Sequence, residues 1–161
     1  MYGHGFATLF LAEVYGMSRI ADLRSKLAKA VQLIVNTQNS EGGWRYEPRR
    51  SEADISVTVC QVMALRAARN AGLYVSNETV DRAIAYIKRC QNPDGGFMYI
   101  ATQPGESEFA RSAAAIVALY SGGIYEGDEI DGGLAYLMQY PPRANELGQQ
   151  SYFFYGHYYA V

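Results

Sequence analysis

Apolar residues recur along the chain with the period of a helix, and successive helices alternate in character. Residues 4 to 15, His-Gly-Phe-Ala-Thr-Leu-Phe-Leu-Ala-Glu-Val-Tyr, form an apolar run that Gly16 ends, glycine being the usual residue just past a helix. Ser18 is of the type that caps a helix, so the second helix is expected to run from there to about Thr37. Its Ile20, Leu23, Leu27, Val31 and Ile34 make one apolar stripe, and Arg19, Asp22, Arg24, Lys26 and Lys29 cover the other faces. Ser51-Glu-Ala-Asp54 has the spacing of a capping box and predicts a third helix over about residues 52–70, whose middle, Ile55 to Leu65, carries no charge. A fourth helix starts at Ser76 or Asn77 with the stripe Val80, Ile84, Ile87. A fifth runs from Glu108 to Tyr120, begun by Gly105 or Ser107 and stopped by Gly122-Gly123. A sixth covers about residues 127–139 before Pro141-Pro142, and a seventh begins near Gln149 and reaches Val161. The odd-numbered helices are apolar nearly all round, as buried helices are, and the even-numbered ones keep a charged outer face. The expected fold is therefore all-α: about seven helices in stacked αα hairpins, with an inner and an outer layer.

A repeat underlies this alternation. Gln38-Asn-Ser-Glu-Gly42-Gly43-Trp44 is copied 53 residues on as Gln91-Asn-Pro-Asp-Gly95-Gly96-Phe97. Leu11, Leu65 and Leu119 fall 54 residues apart in the first, third and fifth helices, which makes His4, Thr58 and Ser112 equivalent positions. Tyr2-Gly-His4-Gly-Phe also matches Tyr155-Gly-His157-Tyr-Tyr. The repeat units are roughly 1–44, 45–97, 98–148 and an incomplete 149–161, all in one repeat domain. Repeats without a polar cap need a neighbour. The seventh helix breaks off mid-pattern with Tyr152, Phe153, Phe154, Tyr155, Tyr158 and Tyr159 to be covered. The expectation is a fragment of a longer array, or an end covered by a protein partner or by self-association through this aromatic helix.

The two glycine turns resemble the glutamine–tryptophan repeat of the squalene and hopene cyclases, and the Asp94-Gly95-Gly96-Phe97 version is equally similar to the β-subunit repeats of protein prenyltransferases. Both families share the α/α toroid, so the resemblance implies a partial α/α barrel. Phe97 stands where tryptophan is usual, Leu33 where an aromatic is usual, and the third turn, around Tyr140-Pro-Pro-Arg143, lacks the glutamine and glycines. In this reading Gln38, Gly42, Gly43, Trp44, Gln91, Gly95, Gly96 and Phe97 are structural: the glutamines bond free backbone groups at helix ends, the glycines allow positive φ, and the rings stack on the next hairpin.

The resemblance also says which chemistry to look for. Hopene-type cyclases protonate an alkene with an Asp-x-Asp-Asp segment, which this sequence lacks; Glu106, Glu108, Glu126, Asp128, Glu129 and Asp131 sit at helix starts, where carboxylates favour the dipole. No apolar pocket for a neutral carboxylic acid is evident. Protein prenyltransferases hold zinc with an Asp-x-Cys pair and a later histidine. Here the corresponding residues are Asp54-Ile-Ser56, so the thiolate is missing, and Cys60 lies almost two turns further on. Asp54 with His157 is the weak metal candidate; no cofactor is expected. The Gly-Cys-Gly-Glu-Gln motif of the toroidal thioester domains is also absent. What remains is a rim of Arg45, Tyr46, Arg49, Arg50, Tyr99 and Arg111, with His4 and His157, which would suit an anionic or diphosphate ligand. The function expected is a prenyltransferase/squalene cyclase-like repeat segment without an intact catalytic motif, binding an isoprenoid or other apolar ligand or a protein. The alternative is part of a terpenoid cyclase or prenyltransferase-type enzyme whose catalytic residues lie elsewhere.

Composition narrows this only at the edges. The 161 residues are 49% hydrophobic and 19% charged with net charge −2, and the pI is about 5.7. Nothing there draws the chain to nucleic acid. No apolar run approaches the roughly 20 residues of a membrane span, and the N-terminus lacks the layout of a signal peptide. Cys60 and Cys90 have neither metal-ligand nor disulfide-framework spacing. Fourteen tyrosines against one tryptophan are the unusual feature.

Overall fold

A computed structural model describes residues 1–140 and 152–161. Over these the protein is all-α, with seven helices and no strands: α1 (Tyr2–Met17), α2 (Leu23–Thr37), α3 (Ile55–Asn70), α4 (Asn77–Arg89), α5 (Phe109–Gly122), α6 (Asp128–Leu137) and α7 (Phe153–Ala160). α1 packs on α3, α3 on α5 and α5 on α7, which forms the inner layer. Outside it α2 lies against α1 and α3, α4 against α3 and α5, and α6 against α5. This is the two-layered αα-hairpin arrangement of an α/α toroid. No helix among the described residues is long and apolar enough to cross a membrane.

The layers follow from the side chains. α3 buries residues on every face, from Ile55, Val57 and Val59 to Ala64, Leu65 and Ala68. α2 buries a single stripe, Leu23, Leu27, Val31, Ile34 and Thr37. α4 does the same with Val80, Ala83, Ile84 and Ile87, while Glu78 in its first turn and Lys88 and Arg89 in its last complement the helix dipole. α5 is rich in small residues; Ala110 and Ala113–Ala115 are all buried against its neighbours. α1 departs from the expected all-round burial. It has one inner neighbour, so it buries only Gly5, Thr8 and Ala12, and leaves Phe10 66% exposed.

Several helix starts differ from the sequence expectation. Ser18 does not cap α2; it ends α1 in extended backbone, and α2 begins only after Asp22, which takes a positive φ of 62°. Ile20 therefore lies outside the buried stripe and is 60% exposed. Ser51 does not cap α3. The Asp54 amide donates to the Trp44 carbonyl (3.0 Å), which holds the chain extended up to that point. Asp54 is then itself the N-cap, its Oδ1 accepting from the Val57 amide at 2.9 Å. α5 starts after Glu108 because Ser107 is taken by the neighbouring turn, its hydroxyl donating to Asp94 Oδ1 at 2.7 Å. The expected seventh-helix start near Gln149 and the prolines 141 and 142 lie outside the described residues.

Candidate functional site

The glycine turns set the geometry on which any site rests, and the two copies share their glutamine, turn-closing and turn-exit bonds. Gln38 Nε2 donates to the Gly42 carbonyl (2.8 Å) and to the Thr79 carbonyl in the first turn of α4 (2.9 Å). Gln91 Nε2 donates to the Gly95 carbonyl and to the Glu129 carbonyl in the first turn of α6, both at 2.9 Å. Each glutamine thus ties the end of one outer helix to the start of the next outer helix. The Asn39 and Asn92 amides close the turns on the Gly43 and Gly96 carbonyls. Trp44 and Phe97 are buried at the turn exits, and their amides donate to Thr58 Oγ1 (3.1 Å) and Ser112 Oγ (2.9 Å) on the following inner helices. Trp44 Nε1 adds a bond back to the Ile34 carbonyl of α2. The repeat equivalence of Thr58 and Ser112 is thus a shared hydrogen-bonding role.

Because each turn delivers the chain to the N-terminal end of an inner helix, those ends gather at one place. There a cavity of about 600 Å³ opens between Tyr2 of α1, Ser56 of α3, Ala110 and Arg111 of α5, and Tyr155 of α7, with Tyr46, Tyr99, Glu108 and Tyr152 completing the wall. Tyr46 and Tyr99 share a hydroxyl–hydroxyl hydrogen bond of 2.7 Å. The Arg45 guanidinium lies over both their rings, 5.8 and 5.9 Å from the centroids.

Of the residues singled out from the sequence, Tyr46, Tyr99 and Arg111 line this cavity and Arg45 stands behind two of them. Arg45 pairs with Glu52 at 3.1 Å. Arg111 donates to the carbonyls of Phe97 (2.8 Å) and Glu106 (2.7 Å) and pairs with Glu108. Arg49 and Arg50 go elsewhere: Arg49 pairs with Glu47, and Arg50 donates to the Asn36 carbonyl (2.8 Å) and borders a separate groove with Gln38, Glu78 and Arg82. His4 Nε2 bonds the Ala30 carbonyl at 3.0 Å. His157 Nδ1 bonds the Phe153 carbonyl at 2.9 Å, and its ring stacks on Phe153 with centroids 4.0 Å apart.

Asp54, two residues before the wall residue Ser56, is fully buried. Burial raises its carboxyl above the usual carboxylate range, against the lowering pull of the Val57 amide, Arg45 and Tyr99. Its Oδ2 has no hydrogen-bond partner among the described residues. The sequence reading missed this setting, in which a carboxyl group does sit in a low-dielectric pocket. Among the described residues no group of three or more His, Cys, Asp and Glu side chains is placed to hold a metal ion. The thiols are equally unsuited, since burial pushes both Cys60 and Cys90 up to about 12.

Tyr2, Ser56, Glu108, Tyr152 and Tyr155 were not singled out as site residues, yet they line the cavity. A signal was present for two of them: the match of Tyr2-Gly-His4 to Tyr155-Gly-His157 put Tyr2 and Tyr155 in equivalent places. Ser56 carries a hydroxyl at the position where the prenyltransferase pattern has its zinc-binding thiolate, and nothing in the local sequence marks that hydroxyl as part of a cavity wall.

Comparison with known proteins agrees with this architecture. The model of the squalene-hopene cyclase C-terminal domain family matches residues 7–157. A stretch of 92 residues is 34% identical to a drimenyl diphosphate synthase of Streptantibioticus cattleyicolor. That match covers 57% of this chain and 16% of the relative, so the chain spans only a small part of the relative's length.

Proposed function

The chain belongs to the squalene-hopene cyclase C-terminal domain family, and we propose that it forms part of the wall of an isoprenoid-binding cavity in a terpenoid cyclase-type protein. The observation that carries this reading is the cavity at the inner-helix starts, lined by the rings of Tyr2, Tyr46, Tyr99, Tyr152 and Tyr155. At about 600 Å³ it falls within the range of small-molecule sites. Aromatic faces bury the apolar body of a ligand, and their quadrupoles favour positive charge developing along it. The chain's contribution is binding and shape. It holds no Asp-x-Asp-Asp acid segment, so proton transfer to an alkene would come from residues of a larger protein.

The test is thermal unfolding of the protein with farnesol, farnesyl diphosphate and squalene. A ligand at a hundred times its Kd should add about 2.7 kcal/mol of stability. Tyr99→Ala, which removes one ring and the Tyr46 bond, should abolish the shift while leaving the unliganded helical content intact. Absence of a shift with all three ligands would sink the reading.

A second reading has its own observation. On α7 Phe154 and Tyr158, one turn apart, are 82% and 62% exposed, and large exposed apolar side chains at helical spacing suit a protein partner or a second copy. Sedimentation of the wild type against Phe154→Ser/Tyr158→Ser separates this from ligand binding, because neither side chain lines the cavity.

A further inference from the structure

We propose that the cavity takes a neutral isoprenoid bearing a single oxygen, an alcohol, whose oxygen seats on the hydroxyls of Tyr155, Tyr2 and Ser56, in preference to a diphosphate ester. This rests on the isoprenoid reading above and specifies its substrate class.

Charge supplies the first observation. A diphosphate needs guanidinium or ammonium groups with free donors. Among the described residues Arg111 is the one arginine on the wall, and its Nε, Nη1 and Nη2 are already directed to the Phe97 carbonyl, Glu108 and the Glu106 carbonyl. Glu108 also faces the cavity, so the two wall charges cancel. Arg45 stands behind the wall and off the cavity lining, paired with Glu52 at 3.1 Å, although its Nη1 makes no aligned hydrogen bond among the described residues. Among the described residues the wall offers a diphosphate no unpaired cation, so its desolvation there is costly.

Hydroxyl chemistry supplies the second. Tyr2, Ser56 and Tyr155 come from three inner helices and meet at the same cavity. Tyr155 Oη is buried beside the side chains of Tyr2, Ser56 and Tyr159, yet it makes no well-aligned hydrogen bond with any of them or with another described residue. Buried hydroxyls nearly always find a partner, so this phenol is placed to donate to something that enters. Burial pushes the Tyr155 phenol up to about 12, which keeps its proton in place at neutral pH. A ligand hydroxyl both accepts and donates, so it can accept a hydrogen bond from the Tyr155 phenol and donate one to Ser56 Oγ. A hydrocarbon can do neither.

The experiment is titration calorimetry of the protein with farnesol, a farnesene of the same carbon skeleton, and farnesyl diphosphate. Farnesol is expected to bind most tightly. Its advantage over farnesene should fall about fivefold in Tyr155→Phe, the loss of one hydrogen bond, with farnesene affinity unchanged. The ring is kept in that variant; Ser56→Ala, which removes only a hydroxyl, gives an independent reading in the same direction. Tighter binding of farnesyl diphosphate, with affinity falling steeply in salt, overturns the proposal. So does equal binding of farnesol and farnesene, or an unchanged ratio in both variants. Binding by none of the three overturns the isoprenoid reading and this proposal with it, whereas farnesene binding without an alcohol preference overturns the proposal alone.

Discussion

Asp54 shows how much one side chain here is asked to do. It caps α3 through Oδ1, donates its backbone amide to the Trp44 carbonyl, and stays fully buried. Burial raises its carboxyl above the unfolded value. Between the two values the folded protein keeps a proton that the unfolded chain releases. The stabilising contribution is therefore whole below the unfolded value, about pH 4, and is lost as pH rises through the folded one. Asp54→Asn keeps an oxygen for the Val57 amide and carries no charge. Its stability relative to wild type, followed by urea denaturation, should rise between about pH 4 and 7. A relative fall over that range would mean the carboxylate is held by its Arg45 and Tyr99 neighbours more strongly than burial opposes it.

At the scale of elements, the glycine turn is the unit that was plainest in the sequence, because it is written twice with its glutamine, asparagine and glycines in the same order. Gly42 and Gly95 show why those positions allow no side chain. Both have positive φ, 97° and 85°, and a Cβ on either would lie 2.2 Å from a backbone oxygen of the adjacent outer helix, Arg82 or Gly132. Gly72 also has positive φ, 82°, but a Cβ there would meet nothing within 4 Å. Gly72→Ala should cost only the backbone strain, about 1 kcal/mol. Gly42→Ala should cost several kcal/mol, since the clash is with main chain that cannot swing away. Equal losses in chemical denaturation would show that the outer helices slide past one another freely. The caps were less legible. Ser51 and Ser107 have the right composition for helix starts, but the Trp44–Asp54 bridge and the Asp94–Ser107 bond decide the matter, and both join residues ten or more positions apart. The cavity was half legible for the same reason: Tyr46, Tyr99 and Arg111 stand at turn exits and helix starts, which local pattern marks, whereas Tyr155 reaches the wall only through the packing of α7 on α5.

For the whole molecule the question is what α7 adds to the stacked hairpins. Gly156 sets its approach, since a Cβ there would come within 3.0 Å of the Ala110 backbone and the Phe109 ring. At that distance Tyr159 is buried, and the Cys60 thiol of α3 lies beside the phenols of Tyr2, Tyr155 and Tyr159. Cys90 is equally buried at the end of α4, next to Tyr86, and owes nothing to α7. Both thiols are raised to about 12, so at pH 8 each reacts with a disulfide reagent only when local opening brings it to water. The two cysteines thus report on different parts of the stack. Tyr159→Ala removes the lid over Cys60 alone, and Cys60 labelling should accelerate tenfold for each ~1.4 kcal/mol by which that opening becomes easier. Cys90 labelling should keep its wild-type rate. Equal acceleration of both would mean that α7 stabilises the molecule as a single cooperative unit, and an unchanged Cys60 rate would mean that α7 does not cover α3 in solution.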